Sequence, residues 1–214
     1  MRNIELMLNK AARHQLRFRP HFKSHQSIEI GRWFRSFGIS CITVSSVQMA
    51  EFFASDGWND ITIAFPFNQL EINQLNQLTA TNRINILVDN SGIVEAIGPK
   101  LEHTTGVYIK ISTGYNRAGI SADSFEKIDY LLECIRQFPK LEFKGFLTHA
   151  GHTYYAKSKY EVQNIHFDAI QKMNNLKRIY KGQYPNLELS IGDTPSCSLS
   201  ENFTGIDEIR PGNF

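Results

Sequence analysis

The apolar positions along this chain change their spacing many times, and the changes alternate. Residues 4–15 place Ile4, Leu8, Ala11 and Ala12 on one side of a helix. Residues 18–25 then read as a strand, 27–37 as a helix that stops at Gly38, and 39–45 as a strand. The pattern continues as helix 47–55, strand 60–66, helix 68–79, strand 84–89, helix 91–101, strand 106–112 and helix 123–137. Strand 143–149, a long helix over 158–181, strand 187–191, a short helix near 196–203 and strand 207–211 complete it. Strict alternation implies parallel strands joined by right-handed crossovers. Eight such units predict an α/β fold of the (β/α)8 TIM-barrel type, with the helix at 4–15 covering the place of a missing eighth helix. An open doubly wound sheet is the alternative; no Gly-x-Gly-x-x-Gly follows the first strand, which counts against a dinucleotide fold.

Composition narrows the picture. The 214 residues suit one domain, 1–214, and a net charge of +2 argues for neither nucleic acid nor a membrane surface as partner. No apolar run approaches the roughly 20 residues of a membrane span, and no leader pattern is present. Cys41, Cys134 and Cys197 lie far apart without metal-ligand spacing, which points to reduced thiols and a cytoplasmic protein.

Barrel chemistry collects at the carboxyl ends of the strands. Those ends carry Lys23 and His25, Ser45 and Ser46, Pro66, Asp89 and Asn90, Thr113 to Arg117, His149, His152 and Tyr154, Gly192 to Thr194, and Arg210, Gly212 and Asn213. In Arg19-Pro20-His21-Phe22-Lys23-Ser24-His25, strand alternation puts Arg19, His21, Lys23 and His25 on one face. An inward basic face lowers the pKa of Lys23 and frees its amine as a nucleophile; an outward one is a solvated edge strand. After the seventh and eighth strands, Gly192, Thr194, Gly212 and Asn213 offer backbone N–H groups and a hydroxyl to a phosphate, or form plain turns. A side chain at position 212 would fill the space a phosphate needs. Lysine and phosphate site together suggest a phosphorylated aldehyde bound as a Schiff base.

Five segments, in order, resemble the fold type III pyridoxal-phosphate enzymes with the alanine-racemase type of barrel. Within these, the likeness is to the D-threonine aldolase and D-serine dehydratase group. They are Arg-Pro-His-Phe-Lys-Ser-His (19–25), Ser-Thr-Gly-Tyr-Asn-Arg-Ala-Gly-Ile (112–120), Thr-His-Ala-Gly-His-Thr-Tyr (148–154), Ile-Gly-Asp-Thr-Pro-Ser-Cys-Ser (191–198) and Glu-Ile-Arg-Pro-Gly-Asn-Phe (208–214). The resemblance implies that Lys23 binds pyridoxal phosphate and later carries the substrate's α-proton, with His21 beside it. It gives Gly192, Thr194, Gly212 and Asn213 to the phosphate, and Arg117, His149 and Tyr154 to the ring and its phenolic oxygen. Arg210 falls to the ring nitrogen, and His149 joins Lys23 as a catalytic group. The implied activity is that of a lyase on small D-β-hydroxy amino acids, by retro-aldol cleavage or dehydration. A non-catalytic pyridoxal-phosphate-binding protein and an amino-acid racemase are the alternatives. The family also has a short strand before its first helix and a C-terminal β domain carrying partner-subunit residues and a zinc site. Neither is expected in these 214 residues, so a divalent metal and a homodimer are expectations for a longer protein only.

Overall fold

The computed structural model describes residues 1–213. In chain order it contains α1 (Arg2–Arg13), β1 (Arg17–Phe18), α2 (Ile28–Ser36), β2 (Ile42–Val44), α3 (Val47–Ala54), β3 (Asp60–Pro66), α4 (Ile72–Thr79), β4 (Arg83–Val88), α5 (Ser91–Ile97), β5 (Thr105–Ser112), β6 (Ile120–Ser121), α6 (Phe125–Arg136), β7 (Leu141–Thr148), α7 (Lys159–Tyr180), β8 (Glu188–Ile191), α8 (Thr194–Leu199) and β9 (Glu208–Ile209). All strand pairs are parallel, in the order β1-β9-β8-β7-β5-β4-β3-β2, with β6 beside β5. A parallel bridge between His21 and Thr43, with the Thr43 N–H donating to the Pro20 carbonyl at 2.9 Å, joins β1 to β2. The ring is thereby closed as the expected barrel, and β6 is an addition at the end of the 112–120 segment.

Apolar alternation builds the barrel wall. Ile61, Ile63, Ile84, Ile86, Val107, Ile109, Leu189 and Ile209 pack with helix residues such as Ala50, Leu75, Val94, Ile128, Leu131 and Met173 in one continuous cluster. Inside the ring, a second cluster holds only Leu87, Tyr108 and Leu147, with Ala64 beside it. Polar side chains occupy neighbouring inward positions, where many barrels stack branched apolar ones. On the outside, α1 buries Ile4, Met7 and Ala11, and its Lys10 Nζ donates to the Ser198 carbonyl at 3.0 Å, so it lies against the end of α8.

The first strand departs from expectation. It ends at Phe18, and Phe22–Ser24 is one turn of 3-10 helix. Pro20 has no N–H for the ladder, and the Lys23 N–H bonds the His21 ring instead of a neighbouring strand. Alternation therefore fails after His21. Arg19 and His21 are buried inside the barrel and Lys23 is exposed at its mouth, while His25 turns onto the apolar side against Phe22, Phe34 and Phe53. Some polar residues at the strand ends also have a local purpose. Ser46 and Asn90 accept N–H bonds as caps of α3 and α5, and Asp193 caps α8, starting that helix two residues earlier than the sequence suggests.

Candidate active site at the barrel mouth

Ten residues line one small cleft at the carboxyl ends of β1, β7, β8 and β9: His21, Lys23, His149, Tyr154, Gly192, Asp193, Thr194, Arg210, Gly212 and Asn213. Every residue assigned a site role from sequence is among them except Arg117. That side chain is exposed on the loop before β6, its guanidinium 5.3 Å from the Tyr115 ring centre. Phe214, the last residue of the fifth segment, lies outside the described residues. Asp193 is the lining residue that received no role from sequence, although an acidic residue before Thr-Pro is a recognisable helix-cap signal.

Backbone donors converge at one corner. The N–H groups of Gly212 and Asn213 both donate to Thr194 Oγ1, at 3.2 and 3.0 Å. The Thr194 N–H donates to the Tyr154 hydroxyl at 3.2 Å. Asp193 turns away into α8, where Oδ1 accepts from the Ser196 N–H and the Thr153 hydroxyl, each at 2.8 Å. Burial raises its pKa. Glycine is required here for contact between elements. A Cβ at Gly212 would stand 2.8 Å from the His21 carbonyl oxygen, and one at Gly192 would stand 2.9 Å from Arg210 Cβ. At Gly212 the missing side chain also lets the segment after β9 pass close to the His21 carbonyl.

Cations dominate the remaining walls. Arg210 is 4% exposed, its Nε donates to Ser190 Oγ at 2.7 Å and its Nη2 to the Thr148 carbonyl at 2.5 Å. Burial brings its pKa down to about 10. Lys110 on β5, 6% exposed, is pushed down to about 7 by burial and then by Arg210 and Arg117. The Lys23 amine is lowered by burial and then by Arg117 and Arg210. The direction matches the sequence reading, but the repelling neighbours come from other strands and not from Arg19 or His25. Burial holds the His21 imidazole well below its ordinary value, with Lys23, Arg210 and His149 adding to the effect. His149, bonded through Nδ1 to the Gly192 carbonyl, is held at about 3 by burial, with Lys110, Arg210 and Lys23 adding to it.

The chain belongs to the family described as "Alanine racemase, N-terminal domain", whose model matches residues 1–214. It is similar to D-serine dehydratase of Dictyostelium discoideum, 29% identical over 238 residues, covering 99% of this chain and 58% of that protein. It also resembles 3-hydroxy-D-aspartate aldolase of Paracoccus denitrificans, 28% identical over 156 residues, covering 70% of this chain and 40% of that protein. Among solved structures, D-threo-3-hydroxyaspartate dehydratase from Delftia sp. HT23 superposes with a TM-score of 0.92 at 26% identity, covering 99% of this chain and 57% of that one. The chain therefore spans somewhat more than half the length of the dehydratases it matches.

Among the described residues no helix is long and apolar enough to cross a membrane, and no group of three or more His, Cys, Asp or Glu residues is placed to hold a metal ion. The three cysteines are free and buried.

Proposed function

We propose that this chain is the pyridoxal-phosphate-binding barrel of a lyase acting on small D-β-hydroxy amino acids, with Lys23 as the residue that binds the cofactor. The observation that carries the reading is the charge pattern at the mouth. Lys110 and Arg210 are buried there, Lys23 and Arg117 add their charge from exposed positions, and none of the four belongs to an ion pair among the described residues. Unpaired buried cations are costly and call for an anion. The phosphate corner supplies three backbone N–H donors now turned to hydroxyls, which can exchange those bonds for phosphate oxygens. These residues fit pyridoxal phosphate.

In this reading Thr194, Gly212 and Asn213 hold the phosphate, and Tyr154 closes that side of the cleft. Arg210, fixed by Ser190 and the Thr148 carbonyl, presents a rigid guanidinium to the ring. Lys23 carries a lowered pKa, so its amine is more readily free to take the aldehyde carbon and to move a proton at the amino acid's Cα. When bound, the cofactor supplies the electron sink for bonds broken at that carbon. Metal ligands and partner-subunit groups, where the reaction uses them, come from outside these residues.

Titrating the protein with pyridoxal phosphate tests the proposal. A visible absorbance band should appear, inorganic phosphate should compete with it, and Lys23→Ala should abolish it. Absence of the band in the parent protein would refute the reading. A longer chain containing this barrel should then consume D-serine or D-threonine and leave the L-enantiomers untouched.

A further inference from the structure

Five of the seven histidines bond a partner through a ring nitrogen, and these divide according to which nitrogen is engaged. His21 and His25 accept through Nδ1, from the Lys23 N–H at 3.3 Å and the Ser27 N–H at 3.1 Å. A backbone N–H can only donate, so each of these neutral rings keeps its proton on Nε2. His166 Nε2 meets the Asn202 carbonyl at 2.7 Å, and His14 Nε2 meets a Glu201 carboxylate oxygen at 2.8 Å. Those partners accept, so these rings also carry their proton on Nε2.

His149 is reversed. Its Nδ1 bonds the Gly192 carbonyl, so Nδ1 holds the proton. Burial and three nearby cations keep a second proton off the ring at neutral pH, with the pKa at about 3. Nε2 is left with a free lone pair, and no group among the described residues is bonded to it. The ring meanwhile lines the cleft, near Tyr115 and Tyr154. The carbonyl that sets this tautomer belongs to the same loop that supplies Thr194, so one segment orients both the anion corner and the imidazole.

We infer that His149 serves the cleft as a hydrogen-bond acceptor through Nε2, receiving an O–H or N–H group of the bound amino acid and not an anionic oxygen. The inference rests on the proposed function for its ligand, though not for its tautomer. It departs from the expectation that His149 stands against the cofactor's phenolic oxygen. Two lone pairs repel, and an anionic oxygen there is better served by an arginine, which only donates.

Long-range 1H–15N correlation on protein labelled with 15N-histidine, with rings assigned through backbone-to-ring correlation, tests this directly. At pH 7 His149 should show the neutral Nδ1–H pattern, while His21, His25 and His166 show the neutral Nε2–H pattern. An Nε2–H or doubly protonated His149 would overturn the inference. Adding pyridoxal phosphate should leave His149 neutral with Nδ1–H retained; protonation on cofactor binding would place it against an anion and overturn the ligand assignment. Adding D-serine to the loaded protein should move the Nε2 resonance upfield, as it does when a lone pair accepts a hydrogen bond. An unmoved resonance, in protein whose visible band responds to D-serine, would also overturn it. Failure of the visible band to form at all would refute the proposed function and leave the tautomer result standing.

Discussion

Towards the amino ends of its strands, the barrel interior holds Arg17, Arg19, Asp60, Glu188 and Glu208, and each charge meets an opposite one. Glu208, completely buried, accepts from Arg17 Nε at 2.6 Å, Arg19 Nε at 2.7 Å and the Ser190 hydroxyl at 2.6 Å. Arg19 also pairs with Asp60 at 2.6 Å, and Arg17 with Glu188. Further along, at Lys23, Lys110 and Arg210, no carboxylate forms an ion pair with these cations among the described residues. The pKa values report the difference. Burial alone would raise Glu208, but Arg19 and Arg17 outweigh it and hold the carboxyl at about 2. At the mouth nothing outweighs burial, and Lys110 falls to about 7. The same kinds of side chain thus pair across the barrel at one level and stand without ion-pair partners among the described residues at the next. Ser190 is the joint, donating to Glu208 and accepting from Arg210.

The largest expected effect comes from breaking the paired level. Glu208→Ala leaves Arg19 buried beside a lost partner and should cost about 3–5 kcal/mol in denaturant unfolding. A loss under about 1 kcal/mol would mean that pairing does not hold this level. Gly212→Val forces a side chain against the His21 carbonyl and should destabilise by about 1–3 kcal/mol, weakening the seam between β9 and β1. Cofactor binding that fell with stability unchanged would mean that this glycine serves the phosphate and not the seam.

Both levels should gain stability as pH rises, but in separate windows set by the two groups. Glu208 has a depressed folded pKa, so its stabilisation is complete above its ordinary value near 4.5 and is lost as pH falls towards about 2. Lys110 has a folded value of about 7 against an ordinary 10.5. Across that window the unfolded chain binds the extra proton, so stability should rise with pH from about 7 to 10.5. Lys110→Met should flatten that rise in pH-dependent unfolding; an unchanged slope would locate its source elsewhere. The smallest change is Thr194→Ala, which removes one hydroxyl from the anion corner. It should weaken pyridoxal-phosphate binding by about 1.5–3 kcal/mol while shifting the unfolding midpoint little. Equal affinity in the variant and the parent would move the phosphate to another part of the mouth.

Much of this was legible in the sequence, for physical reasons that differ by element. Runs such as Ile84 to Val88 and Val107 to Ile111 name their strands because a wall buried under helices must be apolar. The mouth followed from which residues end each strand. The paired level was not anticipated, although it is written in the alternation: Glu188 and Ser190 interrupt Leu187, Leu189 and Ile191, and Glu208 and Arg210 flank Ile209. Read with the barrel, those polar positions point inward. The 3-10 turn at Phe22–Ser24 was hidden for another reason, since a bond from the Lys23 N–H to the His21 ring leaves no periodic signal. Arg117 reaches the site only through its field on Lys23 and Lys110, which no spacing rule detects.

Borohydride reduction of the protein with pyridoxal phosphate, followed by peptide mapping, tests the central claim most directly, because the mouth contains two amines with lowered pKa. Lys23 lines the cleft with Thr194, Gly212 and Asn213, whereas Lys110 is buried in the wall at β5. The account predicts a single pyridoxyl label on Lys23, suppressed by inorganic phosphate. A label on Lys110, or one spread over surface lysines such as Lys144, would contradict it.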